Sequence, residues 1–221
     1  GYKIPAQDQT NVFMYGPTGQ TLCSEFPDFK LSTTYSPQGM FSGEQKFLYE
    51  STPGTMKSTY EHFAYTDENL LRIFTFNFIH GVGPNPLDAP QSAIVNESFA
   101  RKIWGDSDPI GKTLEFTTRE MHSLCTITGV FKDLPKNSIF GCPIIVRYPT
   151  EGRMSENIKS WGMINFPQFV LVKPGSTRKH LEELMNKQSM VRAKYQWMDN
   201  GKTAGSLIAR PLGDMHFLRD R

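Results

Sequence analysis

Residues 92–113 read SAIVNESFARKIWGDSDPIGKT, and this stretch decides the fold assignment. Its first four residues are small or apolar and predict a strand. Asn96 is a preferred residue at the start of a helix, and apolar side chains recur at helical spacing through 97–104. Gly105 stands where a glycine commonly ends a helix. The stretch therefore predicts a strand, a short capped helix and a turn.

The ending GKT (111–113) is typical of nucleotide-binding loops, but its surroundings argue against that function. A phosphate-binding loop follows the pattern G-x-x-x-x-G-K-[ST] and connects a strand to the helix whose N-terminus holds the phosphates. Here Gly105 and Gly111 have five residues between them. The segment also follows a helix and leads into a strand predicted at 113–116. With an Asp-Pro turn at 108–109, the segment predicts a helix-to-strand connection and no phosphate site.

Bulk composition restricts the class of protein. The chain has 221 residues, 38% of them hydrophobic, which is enough for a sizeable core. Its net charge of +2 gives no reason to expect nucleic acid as a partner. No stretch approaches the roughly 20 apolar residues that cross a membrane. Because the chain begins with Gly1 and lacks an initiator Met, we expect a piece cut from a longer protein.

Patterns that would indicate catalysis or metal binding are few. No two of the five histidines stand at the H-x-H or H-x-x-x-H spacing of a local zinc site, and no G-x-S-x-G nucleophile turn occurs. Glu182-Glu183 fits the solvated face of a helix. Cys125 lies in a predicted strand, where a buried thiol is favoured, and a bridge to Cys142 stays open as the minority alternative. We therefore expect no catalytic residue, no metal and no cofactor.

The remaining segments predict a mixture of strands and helices. The alternation of Phe74, Phe76 and Phe78 predicts a strand, and it favours a core role over a binding face. Further strands are predicted at 12–15, 47–49, 125–131, 144–146, 168–173 and 206–209, helices at 21–26, 70–74 and 177–188, and loops at 81–90, 133–138 and 149–165.

Several blocks, taken in order and spacing, resemble one known family. They are YTDENLLRIFTF (65–76), the 92–105 strand and helix, DPIGKTL (108–114) and ITGVFKDLPKNS (127–138). Together they resemble the MacB-like periplasmic core domain of FtsX-like ABC transporter permeases. Trp104 departs from this pattern, which more usually has Phe. The matching positions, to which we assign structural roles, are Asp67, Asn96, Glu97, Ser98, Ala100, Gly105, Asp108, Pro109, Gly111, Gly129, Val130, Asp133 and Pro135.

The resemblance implies an α+β fold in two parts. In this family the extracytoplasmic domain lies between the first and second transmembrane helices. A discontinuous porter-like subdomain with βαβ character would comprise 1–58 and 162–221, and a mixed α/β Sabre-like subdomain would be inserted at 59–161. The ending PLGDMH (211–216) is similar to the family's approach to its second membrane helix.

The resemblance also implies a function. The chain would be the periplasmic head of a permease in the bacterial inner membrane, would bind cargo or partner proteins, and would transmit movements driven by ATP without catalysis of its own. The implied partners are the protein's own transmembrane helices, an ABC ATPase subunit or domain, and in some members an adaptor, outer-membrane or cell-wall partner. The sequence does not identify the partner-binding residues. The alternative is a freestanding extracytoplasmic module that binds a solute or peptide.

Overall fold

The computed structural model describes residues 2–4, 9–11, 13–38, 44–117, 122–187, 190–196 and 206–213, and has the predicted α+β fold. The strands and helices follow in the order β1 (Tyr2–Ile4), β2 (Gln9–Asn11), β3 (Phe13–Tyr15), α1 (Thr18–Glu25), β4 (Phe29–Gln38), β5 (Gln45–Thr52), β6 (Thr55–Glu61), β7 (Phe63–Thr66), α2 (Leu70–Ile73), β8 (Phe78–Gly81), β9 (Ser92–Asn96), α3 (Glu97–Trp104), β10 (Thr113–Thr117), β11 (His122–Phe131), β12 (Ile144–Arg147), α4 (Gly152–Lys159), β13 (Ile164–Val172), α5 (Arg178–Asn186), α6 (Met190–Gln196) and β14 (Ser206–Leu207).

The chain divides into two compact units, Gly1–Thr34 with Glu156–Arg221 and Tyr35–Ser155. The chain passes from the first unit to the second within β4 and returns within α4. The resemblance placed these boundaries at 58/59 and 161/162. The assignment of the porter-like and Sabre-like subdomains to the two units stays a prediction.

The described residues of the first unit form two small antiparallel sheets, and its helices α1, α5 and α6 pack on one apolar cluster. One sheet has the order β14-β1-β2, and in the other β13 lies between β3 and residues 29–34 of β4. Thr177 caps α5 through its hydroxyl, which accepts a hydrogen bond from the His180 N–H at 3.3 Å. The cluster comprises Met14, Tyr15, Leu22, Phe29, Leu181, Met185, Val191 and Leu207.

The second unit is built on one mixed sheet, with strand order β4-β7-β12-β9-β11-β10-β5-β6. β12 pairs with β7 and β11 pairs with β9 in parallel, whereas the other neighbours are antiparallel and β8 adds to β11 beside this path. The first four residues of β9 are all buried, as expected for a strand covered on both faces. The aromatic core of the unit centres on Phe47, Phe63, Tyr65 and Phe116.

Three sequence predictions need correction. The predicted loop at 149–165 contains α4 and the first residues of β13. The loop was predicted because Pro149, Gly152 and Gly162 are residues typical of turns. The predicted strand through Phe74, Phe76 and Phe78 begins only at Phe78, since Phe74 ends α2. Helix α1 starts at Thr18, three residues before the predicted position, because Pro17 already has a helical φ of −71°.

Other predictions are confirmed or fall outside the described chain. α3 begins after Asn96 as predicted, and α5 lies within the helix predicted at 177–188. Phe76 is buried, as the core interpretation requires. Residues 214–216 of the predicted family ending, and Val12 of the first predicted strand, lie outside the described residues. Within the described part of the chain, no helix combines the length and apolar character needed to cross a membrane.

Candidate functional site

Two side chains cap the N-terminus of α3, one from the residue before the helix and one from a distant part of the sequence. The Asn96 side-chain oxygen accepts a hydrogen bond from the Phe99 N–H at 2.9 Å. Asp133, which follows β11, accepts one from the Ser98 N–H at 3.2 Å and a second from the Ser98 hydroxyl. Both capping groups therefore bind N–H groups of the first helical turn, which would otherwise lack partners.

The segment from Gly105 to Thr113 is a turn whose backbone is already engaged. Gly105 has φ 63° and ψ −126°, a conformation that favours glycine. The carboxylate of Asp108 accepts a hydrogen bond from the Ile110 N–H at 3.0 Å. The Gly111 N–H donates to the Ile127 carbonyl at 2.9 Å, so the turn is tied to β11.

The same segment therefore provides no phosphate cradle. A phosphate-binding loop needs a following helix and several N–H groups that point at the ligand. Here β10 begins at Thr113, and the Lys112 ammonium lies 5.6 Å from the centre of the Trp104 ring. Residues 105–113 therefore resemble a nucleotide-binding loop in sequence and not in structure.

Close packing explains a further group of the motif positions. A Cβ atom added at Gly129 would lie 2.8 Å from Cε1 of Phe78 and 3.1 Å from Cγ2 of Ile94. Ala100 and Val130 are buried. Only a residue without a side chain allows β8 and β9 to approach β11 this closely.

The remaining motif positions make local contacts. The Asp67 carboxylate accepts a hydrogen bond from the Asn69 N–H at 3.0 Å, just before α2. Glu97 forms an exposed ion pair with Arg101 at 2.9 Å. Pro109 is buried in the turn, and the Pro135 carbonyl accepts a hydrogen bond from the Ser138 N–H at 2.8 Å. That the motif positions have structural roles stays a prediction, with which these contacts are consistent.

Burial disfavours the thiolate form of two cysteines, Cys125 and Cys23. Cys125 is a free thiol, so the alternative bridge to Cys142 is not formed. Burial raises the pKa of the Cys125 thiol to about 12, and its Sγ lies 3.5 Å from the Leu114 carbonyl. Burial also raises the pKa of the half-buried Cys23. Within the described ranges, no group of three or more His, Cys, Asp or Glu side chains is arranged to hold a metal ion.

The loop at 82–90 in the second unit is fixed to β11. The Val82 N–H donates to the Thr128 carbonyl at 2.9 Å, and the Thr128 hydroxyl donates to the Pro86 carbonyl at 2.7 Å. The side chain of Leu87, a residue of this loop, is completely buried. The loop therefore has a defined position, although it contains little regular structure.

Side chains attach the same loop to the segment before α2 and to β12. Asn85 donates to the Glu68 carbonyl at 2.9 Å and to the Asp88 carboxylate at 2.8 Å. The Arg147 guanidinium donates to the Asp88 carbonyl and forms an ion pair with Glu68 at 3.1 Å. Arg72 adds an ion pair with Asp88 at 3.3 Å. Sequence reasoning missed this network, because its members lie on three separate segments.

Two apolar side chains remain exposed at this fixed loop. Ile79 on β8 is 39% exposed and Val82 is 52% exposed. Surface loops often carry binding residues, whereas single exposed apolar side chains are common on protein surfaces. Ile79 and Val82 therefore add apolar area to the surface at this loop.

Comparison with protein-family models identifies one family. The profile of the MacB-like periplasmic core domain matches residues 17–188. Among curated proteins, none matches the chain significantly.

Three solved structures share the fold. A domain of a protein named as a permease, from Porphyromonas gingivalis, aligns with a TM-score of 0.67 and 23% identity over 96% of this chain and 92% of its own. The periplasmic region of MacB from Actinobacillus actinomycetemcomitans aligns with a TM-score of 0.57 and 14% identity over 98% and 87%. The extracellular domain of the noncanonic ABC-type transporter YknZ from Gram-positive bacteria aligns with a TM-score of 0.58 and 12% identity over 95% and 97%.

Proposed function

The chain belongs to the MacB-like periplasmic core domain family and is the periplasmic domain of a MacB-like ABC transporter permease, and from this premise we propose that it binds cargo or partner proteins and transmits conformational change driven by ATP. The family match over residues 17–188 carries the proposal. In this proposal the chain is anchored by transmembrane helices at the periplasmic face of the inner membrane. ATP is hydrolysed by a separate subunit or domain.

The turn at 105–113 supports a role without nucleotide binding. Its Gly111 N–H and its Lys112 carbonyl are hydrogen-bonded to Ile127, and the Lys112 ammonium lies over Trp104. Calorimetry of this chain with Mg-ATP is expected to show no binding. Tight binding that Lys112→Ala abolishes would contradict the proposal and favour a nucleotide-dependent enzyme.

Transmission across the membrane is tested in the full-length permease together with its ATPase. Hydrogen exchange of this domain is compared between the nucleotide-free and the vanadate-trapped complex. We expect protection to change in this domain, although the nucleotide binds on the other side of the membrane. A complex whose ATPase lacks its catalytic residues is the matched control and should show no change. Equal exchange in both states of the active complex would rule out transmission through this domain.

For the binding role, we propose that a partner protein contacts the surface of the 82–90 loop. Val82→Asp replaces an apolar side chain that is 52% exposed, so it should leave the fold intact. In the full-length permease, this variant should reduce transport while ATP hydrolysis by the complex is retained. Gly83→Ala is unsuitable as a control, because Gly83 has a positive φ of 65°. Lys136→Asp, an exposed change elsewhere in the same unit, is the matched control. Full transport by Val82→Asp would exclude this surface.

A further inference from the structure

Strand β14 of the first unit is bound by a strand and by a side chain of α5. It pairs antiparallel with β1, with Tyr2 as the partner of Leu207. The side-chain oxygen of Asn186 accepts a hydrogen bond from the Leu207 N–H at 2.9 Å, and its nitrogen donates to the Leu207 carbonyl at 2.7 Å. Because the N–H and C=O of one strand residue point to the same edge, the Asn186 amide takes the place of a second neighbouring strand.

A third hydrogen bond orients the Asn186 amide. Its nitrogen also donates to the Glu182 carbonyl, one turn earlier in α5, at 2.8 Å. An amide nitrogen donates twice and an amide oxygen accepts, so the three partners determine which end faces each group of Leu207. A carboxylate of the same size could not donate to the two carbonyls.

A second side chain of α5 binds the residues after β14. The Glu182 carboxylate accepts a hydrogen bond from the Ala209 N–H at 3.0 Å, and the same oxygen lies 2.8 Å from Nε of Arg178. Glu182 and Asn186 are four residues apart, so both lie on one face of the helix. This face of α5 therefore binds the backbone at two positions, 207 and 209.

The attached segment has little other regular structure to hold it. β14 has two residues, and a pairing this short contributes few hydrogen bonds. Leu207 is 1% exposed and belongs to the apolar cluster that also contains Leu181 and Met185 of α5. The position of the segment 206–209 therefore depends on α5.

We propose that Asn186 is a positioning residue that fixes the segment 206–209 to α5, so that a movement of this segment reaches the core of the first unit. The inference rests on the proposed function, in which the transmembrane helices precede β1 and follow β14. Because β1 pairs with β14, both membrane connections meet α5 at this point. Glu182 supports the same attachment through Ala209.

The first test examines the attachment in the 221-residue chain by hydrogen exchange of single amides. In Asn186→Ala, the Leu207 amide should exchange at least about fivefold faster, as expected when one hydrogen bond is lost. Glu182→Ala should accelerate exchange of the Ala209 amide, whereas Glu182→Gln, which keeps an acceptor oxygen, should not. Glu183→Ala, an exposed change on the same helix, is the matched control. Unchanged exchange at Leu207 in Asn186→Ala would overturn the proposal.

The second test examines transmission in the full-length permease together with its ATPase. Hydrogen exchange of α5 is compared between the nucleotide-free and the vanadate-trapped complex. Protection of α5 should differ between these states in the unaltered complex and in Glu183→Ala. In Asn186→Ala the difference should fall at least about twofold, while ATP hydrolysis is retained.

The outcomes of the second test separate this inference from the proposed function. A purely structural role of Asn186 would lower the melting temperature and leave the difference between the two nucleotide states unchanged. That result would overturn the inference and leave the proposed function intact. If the unaltered complex showed no difference anywhere in this domain, the proposed function would fail, and the inference with it.

The third test leaves α5 unaltered. Lys3→Cys with Ser206→Cys places two thiols at partner positions of β1 and β14, at a Cα separation of roughly 5.5 Å that a disulfide accepts. With this disulfide formed, the full-length permease should keep the nucleotide-dependent difference in α5, because the two strands move together. Lys3→Cys alone, under the same oxidation, is the control. A difference lost only when the disulfide forms would show that the strands must separate, and would overturn the proposal.

Discussion

Asp133 binds Ser98 through both its carboxylate oxygens, one accepting from the backbone N–H and the other from the hydroxyl. The two residues are 35 positions apart in sequence. The contact joins the segment after β11 to the first turn of α3, while Asn96 caps the same turn from within. The separated motif blocks at 92–105 and 127–138 therefore meet at one helix terminus. The hydrogen bonds between Asp133 and Ser98 give a structural reason for the presence of both blocks in one sequence.

The first prediction concerns this double cap. Asn96→Ala should reduce the free energy of unfolding by about 1 kcal/mol, because the Phe99 N–H loses its acceptor. Asp133→Ala should cost about 1–2 kcal/mol in denaturant melts, because two hydrogen bonds are lost. Ser98→Ala combined with Asp133→Ala should cost less than the sum of the single changes, since both remove the same hydroxyl contact.

The control for this prediction is Glu97→Ala on the same helical turn. Glu97 forms only an exposed ion pair with Arg101, so its removal should change stability by at most about 0.5 kcal/mol. Strict additivity of the Ser98 and Asp133 changes would contradict the assigned contact.

The second prediction concerns the close approach at Gly129. Gly129→Ala should destabilise the protein by about 1–3 kcal/mol, because the added methyl group would lie 2.8 Å from the Phe78 ring and 3.1 Å from Ile94. Gly213→Ala is the control, as no atom lies within 4 Å of the added Cβ there. Thermal melts of the two variants provide the comparison. Equal melting temperatures would show that the strands can separate without cost.

The sequence was sufficient to predict an element where one residue type determines the backbone around it, as at a helix cap. Asn96 was recognised as a cap, and the apolar spacing after it gave α3 correctly. The helix predicted at 177–188 corresponds to α5 (Arg178–Asn186). The alternation of Phe74, Phe76 and Phe78 led to a wrong strand prediction. Phe74 lies at the end of α2, Phe76 in an irregular segment and Phe78 in β8, yet their rings pack in one aromatic cluster. Period alone does not distinguish these cases.

Contacts between distant segments could not be predicted from one sequence. Nothing in the letters around Asn85 or Arg147 indicates that both reach the segment before α2. Strand β6 was likewise missed, since its side chains are mostly exposed and show no apolar alternation. Such elements are specified by partners elsewhere in the sheet.

The third prediction concerns Gln168 in the first unit. Its side-chain oxygen accepts a hydrogen bond from the Gly19 N–H at 2.6 Å, and its amide nitrogen donates to the carbonyls of Tyr15 at 2.7 Å and Gly16 at 2.8 Å. Gln168→Ala should therefore reduce the free energy of unfolding by about 2–3 kcal/mol, at roughly 1 kcal/mol for each hydrogen bond. Denaturant melts of Gln20→Ala, an exposed change in α1, are the control and should show little loss. If Gln168→Ala lost no more stability than Gln20→Ala, the three hydrogen bonds of Gln168 would be contradicted.

The fourth prediction follows from the buried thiol. The pKa of Cys125 rises from 9.0 to about 12 on burial, so the folded state holds the proton more tightly than the unfolded state. This contribution is complete below pH 9 and is lost as the pH rises through that window towards 12. Between pH 8 and pH 10 the unaltered chain should lose about 1 kcal/mol more than Cys125→Ser, which does not ionise.

The matched comparison removes the other titrating groups, because both proteins contain them. Tyr15, whose pKa burial also raises, is common to both. Parallel pH dependence of the two melts would contradict the assignment. At pH 8, thiol reagents should modify Cys125 only at the rate of global unfolding, whereas the half-buried Cys23 should react earlier.

The last prediction concerns Gly105. Asn often replaces glycine after a helix at small cost, because it tolerates the left-handed region where ψ is near +30° to +60°. Gly105 has φ 63° but ψ −126°, outside that region, and no atom lies within 4 Å of an added Cβ. Backbone strain alone therefore determines the cost. Gly105→Asn, Gly105→Ala and Gly105→Val should each lose more than about 1 kcal/mol in denaturant melts. Asp106→Ala, an exposed neighbour, is the control and should be close to neutral. Stability retained by Asn but lost by Val would mean that the helix ends in an ordinary left-handed cap.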